Sequence, residues 1–438
     1  MTWSVAILDD GITNALQARL GKPAAYEWDY YFGTADTDEG IADTHGDRVA
    51  LSALAVSSAF DLDDLKVASA ANGEYPYDRI EQALDYLLAS GGSEIGAVNM
   101  SFRGTVFPSQ FADEIGELAG RGVLTVAAAG NGGTRQALES PSYPAALANV
   151  IAVGSHDGSG RPSPFSQGGP GVDLLADGED MPGPGLNGTS FAAPRVAATV
   201  THVQAIVEGL TGTRLSVGQM IDALQLGGAG PRSSPDPADG TTRYFLHDHA
   251  GSLDYAWSRY GGTPTLALEY VASHPDLIAA LGASHRAGRL HFENHGSIEE
   301  RGISFDGLDY VASYDDLVGT FGADARAGAG HYIGYGSGEG RAVLFDGLQY
   351  IASYGDLIAA FGPDREAGSP HYIAWGAAEG RQRDEFDAPQ YLANYADLQA
   401  AFGADEQAAA THFITFGYAE GRTDDPLPAT AAATDFMI

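Results

Sequence analysis

The stretch GTSFAAP, residues 188–194, places Ser190 directly before a long, alanine-rich apolar segment that runs on through Ile206. A serine at the start of a buried helix lies where the free N–H groups of the first turn favour negative charge. A nucleophilic serine needs this placement, because the oxyanion that it generates must be stabilised nearby. A Gly-Thr-Ser turn that caps an ordinary helix has the same local pattern, so the rest of the chain has to decide between the two.

Upstream of this stretch, short apolar runs alternate with amphipathic helices. The pattern predicts strands at 5–8, 65–70, 97–101, 123–126 and 150–153, and helices that open at 43–46, extend over 77–90 and include 111–119. This alternation favours a parallel sheet that helices cover on both faces. Functional groups of such sheets gather beyond the carboxyl ends of the strands, where Asp9, Ser101 and Asn131 all lie.

Four motifs resemble, in the family's order, those of the subtilisin-like serine proteases (subtilases, peptidase S8 family). They are VAILDDG at 5–11, THGDRVA at 44–50, AAGN at 128–131 and the serine stretch at 188–194. The resemblance implies that Asp9 orients His45, which acts as the general base for Ser190. It also implies that the Asn131 amide and the backbone N–H of Ser190 stabilise the oxyanion.

The resemblance covers residues 1 to about 260 and implies a three-layer α/β fold with a mainly parallel sheet. It also implies a substrate cleft, whose two walls are Ser101, Phe102, Arg103 and Gly104 on one side and Ala128, Ala129 and Gly130 on the other. Arg103 stands where the family usually has glycine, and a cation there would favour acidic substrate side chains or narrow the pocket. An arginine directed into solvent is the alternative.

Charged residues replace the usual ones at three positions of the aspartate and histidine motifs, namely Asp10, Asp47 and Arg48. Subtilases also usually carry an N-terminal pro-domain, whereas the aspartate motif here begins almost at Met1. Either the pro-domain has been removed or the protein folds without one, and the sequence leaves both open.

The composition excludes several other classes of function. With 58 acidic and 23 basic side chains the formal net charge is −35, which disfavours nucleic acids and anionic membrane surfaces as partners. The chain has no cysteine, so disulfides and thiolate chemistry are excluded. No run of eighteen apolar residues predicts a membrane span. The chemistry needs no cofactor, and calcium in a structural role is an open expectation.

Beyond a predicted linker at 261–266, the region 267–424 repeats itself with a period of about 40 residues. Equivalent units begin at Tyr270, Tyr310, Tyr350 and Tyr391. A serine or asparagine three residues later, followed by an aspartate, predicts a capping box and a short helix in each unit. We therefore expect a small all-α repeat domain that binds a surface, a glycan or a protein. One histidine per unit, His291, His331, His371 and His412, is expected to be packed rather than to bind metal.

The tail 425–438 is small and polar and is predicted to be disordered. Its last four residues, Asp435–Ile438, resemble the uncleaved C-terminal signal of proteins exported by bacterial type I systems. An acidic, cysteine-free chain without an N-terminal signal peptide fits that route. We therefore expect an extracellular bacterial protein with an ABC-type exporter as partner.

Together these features predict a secreted serine endopeptidase that acts on peptide or protein substrates through Asp9, His45 and Ser190. Two alternatives stay open at this point. One is a catalytically inert adhesion or binding protein on the same scaffold, and the other is an intracellular peptide-maturation protease. Substrate sequence, metal ligands and oligomeric state cannot be read from the chain.

Overall fold

A computed structural model gives the structure of the protein and describes residues 3–91, 94–104, 108–133, 140–180, 185–227, 234–235 and 243–427. Most of the predicted tail, including the signal-like residues at its end, lies outside the described residues. The chain divides into two compact units. Unit 1 comprises Met1–Thr263 and Leu290–Gly302, and unit 2 comprises Pro264–Arg289 and Ile303–Ile438.

Unit 1 contains a sheet of nine strands within the described residues, in the order β2-β3-β1-β4-β5-β6-β7-β9-β8. Every pairing in it is parallel except that of β8 with β9. The strands are β1 (Ser4–Asp9), β2 (Tyr26–Asp29), β3 (Asp61–Lys66), β4 (Ile95–Met100), β5 (Leu124–Ala128), β6 (Val150–His156), β7 (Leu174–Asp177), β8 (Ser234–Pro235) and β9 (Arg243–Leu246).

The helices of unit 1 are α1 (Asn14–Leu20), α2 (His45–Leu54), α3 (Tyr77–Ala89), α4 (Ser109–Gly120), α5 (Thr189–Thr211), α6 (Val217–Leu226) and α7 (His249–Arg259). The central helix α5 packs against strands β4, β5, β6 and β7. Its approach to the sheet is close, because a side chain on Gly96 would place its Cβ 2.6 Å from the Cα of Thr201. The predicted parallel α/β fold is confirmed.

The one strand whose predicted bounds differ clearly is β3, which the hydrophobic pattern had set at 65–70. The strand runs over Asp61–Lys66 instead and buries the carboxyl groups of Asp63 and Asp64. Its central position between β1 and β2 forces these side chains inside, although three aspartates in six residues are typical of a loop. Local composition therefore misplaced the strand by four residues.

Unit 2 is helix-rich, as predicted, and the same succession of elements recurs along it. The α-helices are α8 (Pro264–Ala272), α9 (Pro275–Leu281), α10 (His285–His291), α11 (Gly307–Ala312), α12 (Asp315–Phe321), α13 (Ala325–His331), α14 (Gly347–Ala352), α15 (Gly355–Phe361), α16 (Arg365–His371), α17 (Ala377–Glu379), α18 (Ala388–Asn394), α19 (Ala396–Phe402) and α20 (Glu406–His412). Four π-helical turns follow helices of this series, π1 (Phe292–Gly296, which groups with unit 1), π2 (Tyr332–Gly336), π3 (Tyr372–Gly376) and π4 (Phe413–Gly417).

The capping boxes predicted for these helices are wrong. The hydroxyl of Ser353 donates to the carbonyl of Gln349 one turn earlier and accepts the N–H groups of Glu385 and Phe386, each at 3.0 Å. Ser313 and Ser273 make the same contacts with the segments that follow them. These serines therefore join one helix to the next segment of the array, a long-range role that a local capping pattern could not distinguish.

The domain bounds differ from the predicted ones in two ways. Helix α8 begins at Pro264, inside the predicted linker 261–266. The segment Leu290–Gly302, expected in the first repeat, groups with unit 1. There Phe292 is buried and its ring lies edge-on to that of Trp257 at 5.5 Å between centroids. A buried aromatic contact, rather than the repeat period, decides where this segment belongs.

Candidate active site

Ser190 is the second residue of α5, and the helix that carries it is buried along most of its length. The N-cap is Gly188, which has no side chain, and the N–H of Ser190 belongs to the first turn of the helix. A helix of 23 residues presents a partial positive charge at this end. The serine hydroxyl therefore lies where developing negative charge is favoured.

Asp9 and His45 form a hydrogen-bonded pair. Asp9 ends β1 with a fully buried carboxyl group, and His45 begins α2. The Nδ1 atom of His45 lies 2.8 Å from Oδ1 of Asp9, which leaves Nε2 as the free ring nitrogen. Burial alone would lower the pKa of His45, but the negative charge of Asp9 and its hydrogen bond outweigh burial and raise that pKa above its ordinary value.

The helix that begins with His45 packs against the helix that carries the serine, α2 against α5. The imidazole of His45 is tilted against the ring of Phe191, with the ring centroids 5.7 Å apart. Phe191 follows Ser190 directly, so this contact places the imidazole against the segment that carries the serine. The carboxylate of Asp9 and the imidazole of His45 are thus in direct contact, and the imidazole packs against the residue that follows Ser190.

Asn131, which follows β5, has a side-chain amide whose orientation is determined by Thr189. Its Oδ1 accepts both the N–H and the hydroxyl of Thr189, each at 2.9 Å, so Nδ2 is the group left to donate. A Cβ built on Gly188 would lie 3.4 Å from Nδ2 of Asn131 and 3.0 Å from Oγ of Ser190. The amide donor and the hydroxyl therefore border the same small space, which the glycine leaves open.

The charged replacements in the histidine motif form contacts away from the pair. Asp47 accepts the N–H and the hydroxyl of Thr13, at 2.8 and 2.9 Å. Arg48 forms a two-pronged ion pair with Asp43 at the surface. Both side chains are therefore occupied in holding loops near α2.

Asp10 caps the helix that carries the base. Its carboxylate accepts the N–H groups of Gly46 and His45, at 2.7 and 3.3 Å. Burial, and next the neighbouring charge of Asp9, raise the pKa of Asp10 to about 6. An acidic residue at this position fits because the N-terminus of a helix favours negative charge.

The residues predicted to line the cleft differ in how they are placed. Ser101 is buried, and its hydroxyl donates to the backbone carbonyl of Ser190 at 2.8 Å. Phe102 is also buried and Arg103 is exposed. The N–H of Gly104 donates to the carbonyl of Tyr143, so it is engaged within the chain.

The opposite predicted wall is closely tied to the sheet. Ala129 is fully buried among apolar side chains, and its N–H donates to the carbonyl of Val153. The N–H of Gly130 donates to the hydroxyl of Thr189, and its carbonyl accepts the N–H of Gln167. Ala128, at the end of β5, is likewise nearly inaccessible. The backbone N–H and carbonyl groups of Ala129 and Gly130 are therefore engaged in hydrogen bonds within the chain.

Sequence reasoning did not single out Tyr75. Its hydroxyl donates to Oδ1 of Asp9 at 2.9 Å, and its ring stacks on that of Phe102. A tyrosine in a loop carries no motif, so nothing in the local sequence indicated this contact.

Comparisons with known proteins show which proteins this chain resembles. Residues 2–224 match the model of the subtilase family of peptidases. Subtilisin BL from Lederbergia lenta is 33% identical over 217 residues, which cover 46% of this chain and 75% of that protein. The major intracellular serine protease of Bacillus subtilis strain 168 is 31% identical over 168 residues, covering 36% of this chain and 52% of that protein.

A cold-adapted subtilisin-like serine proteinase is similar in solved structure, with a TM-score of 0.45 and 23% identity over 56% of this chain and 87% of that one. The match to the family model spans half of the chain, so the protein belongs to the subtilase family. It is a serine endopeptidase, as the motifs predicted. No helix among the described residues is long and apolar enough to cross a membrane.

Proposed function

We propose that this endopeptidase hydrolyses peptide bonds through Ser190 as nucleophile, His45 as general base and Asp9 as the group that orients the base. The observation that carries the proposal is the 2.8 Å contact between His45 Nδ1 and Asp9 Oδ1, made beside the residue that follows Ser190. A serine hydroxyl needs such a base, and the base needs a carboxylate that holds its tautomer.

In the acylation step, Nε2 of His45 takes the hydroxyl proton while Oγ of Ser190 attacks the scissile carbonyl carbon. Asn131 Nδ2 and the Ser190 N–H donate to the oxyanion of the tetrahedral intermediate. The protonated imidazole then gives its proton to the leaving amine, and the C–N bond breaks. Water attacks the acyl-enzyme by the same route and releases the carboxylic acid. These groups carry out every proton transfer of the reaction, so no cofactor takes part.

The substrate is a peptide or an unfolded protein segment that lies along residues 101–104. The exposed cation of Arg103 lies on this segment, and it favours an acidic side chain on the substrate because opposite charges attract. Calcium, if bound, acts on stability rather than on the chemical steps.

The decisive experiment compares the wild type with Ser190→Ala on an unstructured protein substrate. We expect a loss of roughly a millionfold in turnover, because removing the nucleophile of such a triad leaves only the contribution of binding and the oxyanion site. A fluorophosphonate probe should label the wild type and not the variant. Equal turnover of the two proteins would refute the mechanism, and a wild type that neither reacts nor cleaves would indicate an inert scaffold.

We also propose that unit 2 binds a target and concentrates the protease on it. The support is a set of aromatic side chains at the fourth position of three π-helical turns, Tyr335, Trp375 and Phe416, which are 67%, 62% and 55% exposed. Exposed rings at equivalent positions are surfaces for stacking on a repeating ligand, such as a glycan or an extended protein. Binding of Ser190→Ala protein to insoluble polysaccharide or denatured protein, with Trp375→Ala as comparison, tests this role.

The histidines of these turns support a packing role rather than a metal site. Nδ1 of His331, His371 and His412 lies within 3.1 Å of the hydroxyl of Tyr310, Tyr350 and Tyr391, respectively. Among the residues that the structure describes, no group of three or more potential ligands is arranged for a metal ion.

We further propose that the protein is exported from a bacterial cell by an ABC-type system that reads its C-terminus. The support is the acidic, cysteine-free composition and the signal-like last residues. Deleting residues 435–438 should retain the protein in the cell. Because one relative is named an intracellular protease, retention of the full-length protein in the lysate would favour an intracellular role instead.

A further inference from the structure

The hydrogen bonds of the Asp9 carboxylate are unevenly distributed. Among the described residues, Oδ1 accepts from Nδ1 of His45, from the hydroxyl of Tyr75 and from the N–H of Asp10, at 2.8, 2.9 and 2.9 Å. The other oxygen, Oδ2, is buried and has no hydrogen-bond partner in the described chain. One oxygen thus shares its charge between the base and a tyrosine that belongs to no motif.

The loop that carries Tyr75 is held at its beginning by Glu39. The carboxylate of Glu39 accepts the hydroxyl of Ser69 and the N–H of Ala70, each at 3.0 Å. Glu39 is itself paired with the fully buried Lys66 at 2.8 Å. This buried ion pair makes the start of the loop a rigid part of the sheet edge.

The other end of the loop is held by helix α3 and by an aromatic stack. Pro76 is the N-cap of α3, so the backbone next to Tyr75 has a restricted geometry. The ring of Tyr75 lies on that of Phe102, with the centroids 4.7 Å apart and the planes 28° apart. Phe102 follows Ser101, whose hydroxyl binds the carbonyl of Ser190. Ring and hydroxyl together connect the nucleophile segment to the carboxylate.

We propose that Tyr75 is a positioning residue for the catalytic base, acting through Asp9; this rests on the proposed function of the triad. Its hydroxyl holds the carboxylate in the orientation that faces His45 and withdraws part of the negative charge that stabilises the imidazolium. The residue thereby sets both the geometry of the base and the pH at which the base becomes available.

The sign of the expected pH effect follows from the charges that face the pair. Asp10 raises the pKa of His45 in the same direction as Asp9, and Arg48 opposes both. Asp64 is the further carboxyl group that interacts with Asp9 from the neighbouring strand. Replacement of Tyr75 by phenylalanine leaves all of these groups in place and removes one donor from Asp9. The full charge of Asp9 then acts on His45, so the pKa of His45 rises.

The test measures kcat and kcat/KM of wild type and Tyr75→Phe against pH on a peptide substrate. We expect kcat to fall by roughly tenfold and the acidic limb of the kcat/KM profile to move to higher pH by about half a unit. The matched control is Tyr31→Phe, which removes a hydroxyl that contacts Asn72 of the same loop at 3.4 Å. The control should keep the wild-type profile. Coincident profiles of all three proteins would overturn the proposal.

Two further measurements separate this proposal from the others. In Ser190→Ala protein, an NMR titration of His45 with and without Tyr75→Phe should show the same upward shift of the His45 pKa. This measurement needs no activity, so it tests the role of Tyr75 even if the proposed triad fails as a catalyst. An unchanged His45 titration refutes the role of Tyr75 alone. If Tyr75→Phe does not fold, 3-fluorotyrosine at position 75 keeps the shape of the side chain and makes its hydroxyl a stronger donor. The acidic limb of the kcat/KM profile must then move to lower pH. An acidic limb that stays in place contradicts the proposal.

Discussion

The two units of this protein handle charge in opposite ways. Unit 1 buries the carboxylate of Asp9 and the ammonium group of Lys66, and Lys66 pairs with Asp29 at 3.0 Å and with Glu39 at 2.8 Å. Unit 2 buries Asp309 but keeps most of its charged groups at the surface, where one arrangement recurs. In it, an arginine bridges an aspartate and a glutamate over a tyrosine ring, as Arg381 does with Asp356, Glu379 and Tyr354.

This difference reflects what each unit has to do. A buried charge is costly to desolvate, so it persists only where specific hydrogen bonds stabilise it, and such groups can hold reacting atoms in place. Exposed ion pairs contribute little each, but a recurring set makes neighbouring segments equivalent. We therefore expect single substitutions to have large effects in unit 1 and small ones in unit 2.

Among variants that leave the proposed catalytic residues unchanged, the largest expected effect comes from Gly188→Ala, which fills the space between Oγ of Ser190 and the Asn131 amide. The glycine has an extended backbone that alanine also adopts, so the fold should persist. We expect kcat to fall about 100- to 1,000-fold, as on loss of an oxyanion donor. Steady-state kinetics with an unchanged circular dichroism spectrum checks this. The control Gly158→Ala adds a Cβ that meets nothing within 4 Å, and equal activity of both variants would contradict the geometry.

An intermediate effect is expected on the pH dependence of stability. Burial raises the pKa of Asp64 to about 8, so the folded state holds its proton more tightly than the unfolded chain. The stability from this group is present below about pH 4 and is lost as pH rises through about 8. Asp64→Asn removes that loss. Between pH 5 and 8 the free energy of unfolding of the variant should therefore fall less steeply with pH than that of the wild type, and the two slopes should differ by roughly 1.4 kcal/mol per pH unit.

Urea unfolding at several pH values measures this slope. The control is Asp61→Asn on the same strand, whose half-exposed carboxylate pairs with Lys22 at 3.3 Å and should contribute less than about 1 kcal/mol. Parallel profiles for wild type and Asp64→Asn would show that the buried carboxyl group is not protonated in the native state.

The smallest effects are expected in unit 2, where the loss of a buried contact should lower the free energy of unfolding more than the loss of an exposed one. Ser313→Ala leaves the N–H groups of Leu344 and Phe345 without their shared acceptor, which is buried, and should cost about 1–3 kcal/mol. Arg381→Gln, which opens an exposed ion-pair network, should cost less than about 1 kcal/mol. Thermal unfolding of unit 2 in the full chain gives both values. A larger loss for Arg381→Gln would reverse the ranking.

Much of the fold and of the candidate site could be predicted from particular residues. Apolar runs such as 5–8 and 123–126 predict buried strands because parallel strands covered on both faces require them. Asp9, His45, Asn131 and Ser190 were singled out because each follows a strand or opens a helix in a recognisable motif. The strand β3 was misplaced, because the burial of Asp63 and Asp64 depends on neighbours that are distant in sequence.

The contacts that support the motifs were out of reach for the same reason. Tyr75 lies 66 residues from Asp9 in sequence, and its loop has no periodicity. Ser353 matched a local capping pattern, yet it binds backbone groups 32 and 33 residues further on. A polar group forms its hydrogen bond with the partner that packing brings close to it. The sequence pattern does not show which distant residues packing will bring together.

The sequence by itself determined the family, the order of the reacting groups and the helical character of the second unit. These depend on residue type and short-range periodicity, which the chain displays directly. Only the tertiary structure decided which oxygen of Asp9 accepts the hydrogen bonds and which residue orients the Asn131 amide. It also decided that residues 290–302 group with unit 1. Each of these depends on contacts between elements that are far apart in the chain, and such contacts exist only once the sheet and helices have packed.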